Sequence, residues 1–379
     1  MRRVVDVWPE PPRRVGDVLE VAAELRWPLG WTTLKKGRRP RVWMRVPGDL
    51  PISETAVGDA FLLATLFGAM RLAGGIRLHA RATAELVEGV GRLQALWSAR
   101  RPDKYRTVGI ECDALAPGVP GGGPALLTFS GGLDSAYSLH RHASAGRPTP
   151  PTLGAALMLH GADIPCGETA AFEEAFARSR RMTDSLGVPL LRAVTNLRVV
   201  KQNWTHSSNT ALAAVMNLFR GRFGSGLVAV GYTRAESLAW YPQDVTDLPL
   251  LSSPAFPVIG DGYETDRFEK MDAIHGWPAA LENLRVCYRP GCYARNCGEC
   301  FKCWIVGFFA LLACGRPAPF MPRAVTDADI RAIGRCRDAV VLLRLNQLVA
   351  HARARGVRTS WVIEAERVLR EVEESRRNA

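Results

Sequence analysis

The sequence lacks the long hydrophobic runs that membrane-spanning segments require. In 379 residues no apolar run approaches the roughly 20 residues of a transmembrane helix, and the segment 61–72 is short and contains Gly68. The first residues also lack the apolar centre of a secretory signal, because Pro9, Pro11 and Pro12 follow soon after the start. The sequence therefore predicts a cytoplasmic protein with no membrane partner.

Two common phosphate-binding motifs are also missing. The chain has no Gly-Lys-Ser/Thr sequence, which excludes a Walker loop. It has no Gly-x-Gly-x-x-Gly sequence either, which excludes the usual dinucleotide-binding fingerprint. A phosphate-binding turn in this chain must therefore be of another kind.

Acidic residues are fewer than basic ones, 37 against 49, so the formal net charge is +12. Most of this excess is spread along the chain, and the one dense run, 35–41, has Trp31 and Trp43 nearby. A solvated loop is the ordinary interpretation of such a run. A contact for RNA or for a protein partner, made through the N-terminal part of the chain, is the alternative.

Composition divides the chain into four segments. Residues 1–115 are predicted to form an α+β domain of unassigned role, and the Pro- and Gly-rich segment 116–124 is predicted to be a linker. Strands and helices then alternate over 125–320, which predicts an α/β domain with a doubly wound parallel sheet. The amphipathic segment 325–379 is predicted to be a helical tail, for which we expect packing or a homodimer contact and no chemistry. The predicted strands are 42–46, 107–112, 125–129, 155–160, 189–194 and 227–231, and the predicted helices are 53–72, 80–99, 135–142, 168–186, 205–220, 327–355 and 360–376.

The segment TFSGGLDS, residues 128–135, ends a run of β-forming residues with two adjacent glycines. Gly131 and Gly132 permit unusual φ values and allow another group to approach the main chain closely. The helix predicted from Ser135 presents its first amides and the positive end of its dipole at the same place, which makes an anion site. Ligands of doubly wound sheets bind at the carboxyl ends of the strands, where His160 and Gly231 also fall. A tight turn with a helix cap is the alternative.

The string Ser-Gly-Gly-x-Asp-Ser at 130–135 resembles the pyrophosphate loop (PP-loop) of the N-type ATP pyrophosphatases, which have the adenine nucleotide alpha hydrolase-like fold. These enzymes convert a carboxylate or carbonyl oxygen into its adenylate and release pyrophosphate. The resemblance implies that main-chain amides at Gly131 and Gly132 hold the outer phosphates of ATP, with the hydroxyls of Ser130 and Ser135 as further donors. It also implies that Asp134 holds Mg²⁺.

Two further segments carry polar residues that the sequence places near the strand ends. Arg267 and Lys270 lie three positions apart at the start of a predicted helix, so they share one face and are candidates to grip the leaving pyrophosphate. Ordinary surface charge is the alternative for either residue alone. In the segment 203–209, Thr205 or Ser207 is a candidate helix cap, and His206 and Asn209 are candidate contacts for substrate or ATP.

Five of the nine cysteines lie between residues 287 and 303. Cys297, Cys300 and Cys303 form a Cys-x2-Cys-x2-Cys knuckle, and one thiolate upstream, Cys287 or Cys292, would complete a tetrahedral Zn²⁺ site. Disulfides are not expected in a cytoplasmic protein. An iron–sulfur cluster, which also needs four thiolates, and a set of ordinary buried cysteines are the alternatives.

Together, the pyrophosphate loop and the cysteine spacing resemble 7-cyano-7-deazaguanine synthase and its paralogues over about residues 125–315. The resemblance implies Cys287 as the fourth zinc ligand, and an ATP-dependent ligase in which ammonia or an amine attacks an adenylated small-molecule, peptide or modified-base carboxylate. The chain differs from that enzyme at 160–163 and 240–244, so the reaction class is implied more strongly than the substrate. The alternatives are a PP-loop enzyme that thiolates a tRNA base, with Cys166 as the sulfur carrier, and a nucleotide-binding protein without catalysis.

Overall fold

We describe the fold from a computed structural model, which covers residues 4–27, 40–144, 149–200, 202–240, 243–336 and 338–377. Most of the basic run, residues 35–39, lies outside the described residues, as does Trp31. The strands are β1 (Val4–Pro9), β2 (Arg13–Val15), β3 (Val18–Arg26), β4 (Arg41–Pro47), β5 (Gly75–Thr83), β6 (Gly109–Ala116), β7 (Ala125–Thr128), β8 (Leu153–His160), β9 (Leu190–Thr195), β10 (Ser225–Ala229) and β11 (Val258–Asp261). The helices are α1 (Glu54–Leu72), α2 (Ala84–Arg100), α3 (Leu133–Ala143), α4 (Thr169–Asp184), α5 (Trp204–Asn217), α6 (Arg234–Trp240), α7 (Gln243–Leu250), α8 (Arg267–Ile274), α9 (Pro278–Asn283), α10 (Phe301–Cys314), α11 (Asp327–Arg335), α12 (Ala339–Ala354) and α13 (Ser360–Arg377).

The strands of the described residues form one 11-stranded sheet in the order β11-β10-β7-β8-β9-β4-β3-β1-β5-β6, with β2 paired to β3. From β7 to β11 every pairing is parallel. The chain proceeds from β7 through β8 to β9 on one side, then returns to place β10 and β11 on the other. This is the strand order of a doubly wound sheet, whose switch point lies between β7 and β10. The predicted α/β class with a largely parallel sheet is confirmed.

The N-terminal strands extend the same sheet. Strand β4 pairs antiparallel with β9, with Met44 opposite Thr195 and Arg45 opposite Val194. The Asn196 side chain reinforces the junction, because its Oδ1 accepts a hydrogen bond from the Trp43 main-chain N–H at 2.8 Å. The sheet therefore continues across the predicted division at residue 115, and the domain boundaries stay a prediction.

Two hydrophobic cores cover the two faces of the sheet. Successive side chains of a strand point to opposite faces, and accordingly Leu126 belongs to one core and Leu127 to the other. The first core contains the buried side of Glu54–Leu72, the one helix of the described residues that is long and apolar enough to cross a membrane by length and composition. In its most apolar 18-residue window 83% of the residues are buried, and it packs on β5 and α5 as a core helix. The sequence interpretation considered only residues 61–72 and found them too short to span a membrane. That expectation was wrong about length, because the helix begins at Glu54.

Two predicted helices have different bounds in the structure. The helix predicted over 327–355 is two helices, because the chain leaves the helical conformation at Cys336 and the Asp338 side chain caps a new helix by accepting a hydrogen bond from the Val340 N–H at 2.8 Å. The helix predicted from residue 80 begins at Ala84, since β5 runs to Thr83. Helix α12 packs against α8 and α10, which brings the tail close to the carboxyl ends of the strands.

Candidate functional site

The glycine turn joins the end of β7 to the start of α3. Gly131 has φ of +75°, in the left-handed region that favours glycine, and a Cβ there would lie 2.8 Å from Ser179 Oγ on α4. Gly132 occupies the N-cap position of α3, with no side chain over the first turn. The turn therefore lies tightly against α4 and leaves the N-terminus of an 11-residue helix uncovered by its own cap.

Two serine hydroxyls fix the conformation of this turn. Ser135 Oγ donates to the Gly132 carbonyl at 3.1 Å and accepts from the Ser130 N–H at 3.3 Å. Ser130 Oγ accepts from the Gly132 N–H at 3.3 Å. The structure thus places the predicted residues Ser130, Gly131, Gly132 and Ser135 together at the start of α3.

Arg285 anchors the turn to the cysteine-bearing segment. Its Nη2 donates to the Ser130 carbonyl at 2.9 Å, its main-chain N–H donates to the Gly131 carbonyl at 2.8 Å, and its Nη1 donates to the Tyr293 carbonyl at 3.2 Å. The side chain is almost fully buried, and this burial lowers the pKa of Arg285. No sequence motif marks this residue.

Asp134, Arg267, Lys270 and Gly231 meet beside the turn. Arg267 Nη2 lies 2.9 Å from Asp134 Oδ2, and the fully buried Lys270 places its Nζ 3.7 Å from Asp134 Oδ1. Burial acts to raise the pKa of Asp134, but the charges of Arg267 and Lys270 outweigh it and hold this pKa below its ordinary value. Burial in turn lowers the pKa of Lys270, which donates a hydrogen bond to the Val230 carbonyl. A Cβ at Gly231 would lie 2.5 Å from Arg267 Nη2, so only glycine allows this approach.

Two adjoining cavities open at the carboxyl ends of β7, β8 and β10. The larger has a volume of about 220 Å³. Its lining is largely apolar and comprises Thr128, Phe129, Ser130, Gly132, Asp134, Ser135, Leu157, Met158, Leu159, Ala162, Asp163, Ile164, Trp204, Ser208, Leu212, Val228, Ala229 and Arg285. The smaller, of about 100 Å³, shares Ser130, Gly132, Asp134, Asp163 and Arg285 with it and adds the cations Arg267 and Lys302. An apolar compartment therefore opens into a cationic one across the glycine turn.

Among the described residues that line the two cavities, neither His160 nor His206 appears. The His160 ring stacks on Phe172 at a centroid distance of 4.3 Å, and its Nε2 donates to the Pro165 carbonyl at 3.0 Å. Burial lowers the pKa of His160. His206 bonds to the hydroxyl of Tyr105 at 2.7 Å, on the side of α5 away from the cleft.

Helix α5 faces the larger cavity with other residues than the predicted contact His206. The cap is Asn203, whose Oδ1 accepts from the His206 N–H at 3.3 Å, and neither Thr205 nor Ser207 caps the helix. With this start, positions 204, 208 and 212 lie four residues apart on one face, and these three line the larger cavity.

The four sulfur atoms of Cys287, Cys297, Cys300 and Cys303 lie within 4.8 Å of one another. Cys287 Sγ is 3.9 Å from Cys300 Sγ, and Cys297 Sγ is 3.8 Å from Cys303 Sγ. A tetrahedron with Zn–S bonds of 2.3 Å has S···S edges of about 3.8 Å, so the four thiols fit one zinc ion. The main-chain N–H groups of Arg289 and Glu299 point at two of these sulfurs, at 3.5 and 3.4 Å, as expected for thiolate acceptors.

The structure decides between the two candidates for the fourth ligand. Cys287 lies in the sulfur cluster, whereas Cys292 lines a separate shallow cavity with Glu168 and Glu174, at the start of α4. The predicted ligand set Cys287, Cys297, Cys300 and Cys303 is therefore the set that could hold a metal.

Two cations besides Arg285 were missed by the sequence argument. Lys302 lies between two metal-site cysteines and places its Nζ 3.7 Å from the ring centroid of Tyr288, at the wall of the smaller cavity. Arg344 comes from α12 in the tail, and its Nη2 donates to the Gly231 carbonyl at 2.6 Å. The tail therefore contacts the turn that follows β10, and the expectation that it takes no part in the chemistry stays a prediction. A lysine inside the cysteine motif is visible in the sequence, but no sequence signal marks Arg344.

The assembled site can hold an elongated anion with an apolar end. The start of α3, which lines both cavities, and the surrounding cations suit phosphate groups. The apolar compartment suits a flat ring. No protein-family model, curated protein or solved structure matches the chain in the comparisons made with each.

Proposed function

We propose that the chain is an ATP-dependent carbon–nitrogen ligase of the PP-loop class, similar to 7-cyano-7-deazaguanine synthase. It would adenylate a substrate carboxylate or carbonyl oxygen, release pyrophosphate, and pass the activated group to ammonia or an amine. The observation that carries this proposal is the Ser-Gly-Gly-Leu-Asp-Ser turn at the switch point of a doubly wound sheet, placed between an apolar and a cationic compartment.

ATP fits the two compartments in one orientation. The adenosine would occupy the larger cavity, between the strand ends and Trp204 of α5. The phosphates would then cross the amides of Gly131 and Gly132 and reach the compartment that Arg267 and Lys302 line. Mg²⁺ is usually held by substrate phosphates and one or two carboxylates. Asp134 and Asp163 are the carboxylates that line both cavities, and they would share this ion.

The proposed chemistry depends on positioning and charge. A substrate oxygen attacks the α-phosphorus, and the bond from that phosphorus to the bridging oxygen breaks, so that the electron pair leaves with pyrophosphate. Arg267 and Lys270 lie beside the turn and would stabilise the charge that collects on this leaving group. Ammonia or an amine then attacks the acyl carbon, and AMP leaves with the electron pair of the cleaved carbon–oxygen bond.

Thiolation of a tRNA base is the second candidate, and it needs a reactive thiol near the cleft. Cys166 lies near the strand ends, but its Sγ donates to the Thr195 carbonyl at 2.6 Å. Burial also raises the pKa of Cys166, which favours the unreactive thiol. Four further cysteines belong to the metal cluster. These observations favour nitrogen over sulfur as the attacking atom.

Product analysis tests the proposal and separates the candidates. The protein is incubated with Mg²⁺ and ATP labelled at the α-phosphate, together with ammonium and candidate small-molecule, peptide or modified-base carboxylates. We expect labelled AMP in step with a nitrogen-containing product. ADP in place of AMP would contradict the pyrophosphatase mechanism. AMP that appears only with tRNA and a sulfur donor would identify the thiolation enzyme, and would make the N-terminal part the first place to seek an RNA contact.

Replacing Gly231 with alanine tests the approach of Arg267 to Asp134. The new Cβ would displace the end of a flexible side chain, so we expect the fold to be kept and pyrophosphate release to fall about 100-fold. The matched control is Gly91→Ala, since that glycine lies on α2 with open space around its Cβ position and alanine there gains up to about 1 kcal/mol of helix stability. Equal rates in the two variants would show that the spacing at Gly231 does not matter.

A further inference from the structure

We infer that helix α12 of the tail is part of the proposed catalytic site, and that Arg344 is the positioning residue through which it acts. This inference rests on the proposed function, in which Arg267 and Lys270 stabilise the leaving pyrophosphate. Neither the glycine motif nor the cysteine motif involves the tail, which follows both in the sequence. The contacts of α12 with the segment 231–236 and with α8 carry the argument.

Arg344 links α12 to the turn after β10. Its side chain is 3% exposed, and its Nη2 donates to the Gly231 carbonyl at 2.6 Å. Its Nη1 lies 3.3 Å from the carboxylate of Glu236, which lies in the first turn of α6. One guanidinium therefore fixes both ends of the segment 231–236, whose first residue lies against Arg267.

Tyr232 carries this contact to the catalytic cations. The Arg344 guanidinium lies over the Tyr232 ring at 4.7 Å from the ring centroid, and the Arg267 guanidinium lies at 5.9 Å from the same centroid. Arg267 in turn pairs with Asp134. The Tyr232 ring therefore contacts both guanidinium groups, and a movement of the ring would change the surroundings of Arg267.

The same face of α12 also holds α8, which carries Arg267 and Lys270. His351 Nε2 lies 2.7 Å from Asp266 Oδ2, the N-cap carboxylate of α8. One turn further along, Arg355 pairs with Asp272 at 2.6 Å and covers the Phe268 ring. Residues 344, 351 and 355 are spaced by seven and four, so they lie on one side of the chain through α12 and its C-cap, Arg355. Helix α12 thus contacts the cation-bearing helix at its start and near its end.

The burial of Arg344 indicates that its role is more than packing. Its Nε is buried and has no hydrogen-bond partner among the described residues. Burying a guanidinium with an unsatisfied donor is unfavourable, and a hydrophobic residue would join two helices at lower cost. A charge at this position is useful because it holds the Gly231 carbonyl, Glu236 and Tyr232 in one arrangement around Arg267.

The test compares Arg344→Gln and Arg344→Lys with a control on the tail, Arg331→Gln. Arg331 is about half exposed and pairs with Glu364, so its loss should leave the site unchanged. We expect Arg344→Gln to raise amide hydrogen exchange in 231–236 and in α8, and to lower kcat for pyrophosphate release about 100-fold with little change in KM for ATP. Arg344→Lys keeps the charge and one donor nitrogen, so it should restore part of kcat.

Amide hydrogen exchange and the kinetics of pyrophosphate release test different parts of the inference. If amide exchange in 231–236 and α8 is the same in Arg344→Gln and wild type, α12 does not hold the cation cluster and the inference is overturned. If KM rises and kcat does not change, Arg344 acts on nucleotide binding and the positioning role is wrong. A wild-type protein that releases no pyrophosphate would refute the proposed function, and the exchange data would then decide the structural role of α12. If Arg344→Gln does not fold, amide exchange and kinetics are compared between Arg344→Lys and wild type, and the same outcomes support or overturn the inference.

Discussion

Replacing Asp134 with asparagine is expected to lower pyrophosphate release about a hundred- to a thousandfold. Asparagine keeps the size of the side chain and removes the negative charge that pairs with Arg267 at 2.9 Å and with Lys270 at 3.7 Å. Both cations would then lose their orientation toward the leaving group, and the proposed Mg²⁺ would lose a ligand. The measurement is steady-state release of pyrophosphate at saturating ATP.

A stability control accompanies this variant. Removing one partner of a fully buried ion pair costs about 3–5 kcal/mol. Asp134 and Arg267 are each about one-fifth exposed, so Asp134→Asn should lose less than this, but it should still melt at a lower temperature, and rates must be compared well below that temperature. The matched substitution is Asp184→Asn, because Asp184 pairs with Arg180 on the surface of α4 and both side chains are more than half exposed. That variant should keep wild-type turnover. Turnover of Asp134→Asn within twofold of wild type would remove Asp134 from the chemistry.

The largest expected loss of stability follows from Cys287→Ser. Wild-type protein should contain one zinc ion per chain, and the variant should contain none, because the tetrahedral site loses a thiolate. Zinc binding in such sites contributes directly to folding, so the free energy of unfolding should fall by about 4 kcal/mol or more. Elemental analysis and denaturant unfolding measure the two effects. Arg285 joins this segment to the glycine turn, so ATP affinity should fall together with zinc content.

Cys292→Ser is the internal control for the metal site. Cys292 lies five residues along the same segment but outside the sulfur cluster, so this variant should keep both zinc and stability. Equal metal loss in the two variants would show that the ligand set is wrong. Iron with a visible charge-transfer band would instead identify an iron–sulfur cluster, which uses the same number of thiolates.

The sequence predicted the part of the fold in which each strand and helix has a strong local pattern. The βαβ alternation from residue 125 placed β7 to β10, because their apolar runs are bounded by clear turns. It missed β3, Val18–Arg26, whose Ala, Leu and Glu residues favour helix when they are considered alone. The strand forms because its neighbours β1 and β4 pair with it on both sides. Long-range pairing of this kind leaves little trace in a local window.

Site residues were predictable where the chemistry lies in contiguous residues. The glycine turn and the cysteine knuckle are such motifs, and the structure assembles both. Arg285 and Arg344 were missed because they are single residues among 49 lysines and arginines, and tertiary packing alone brings them to the turn. His160 shows that the direction of a side chain is also hard to predict. It ends β8 as expected, but side chains alternate along a strand, and this one points toward Phe172.

The junction between β4 and β9 has a consequence for any shortened form of the chain. A protein cut at the linker would leave the carboxyl end of β9 as an open edge, with main-chain groups free to pair with another molecule. It would also uncover the side of α5 against which α1 packs. Exposed edges and apolar patches of this kind promote aggregation. The N-terminal residues therefore cover a sheet edge and an apolar helix face that would be open in a chain without them.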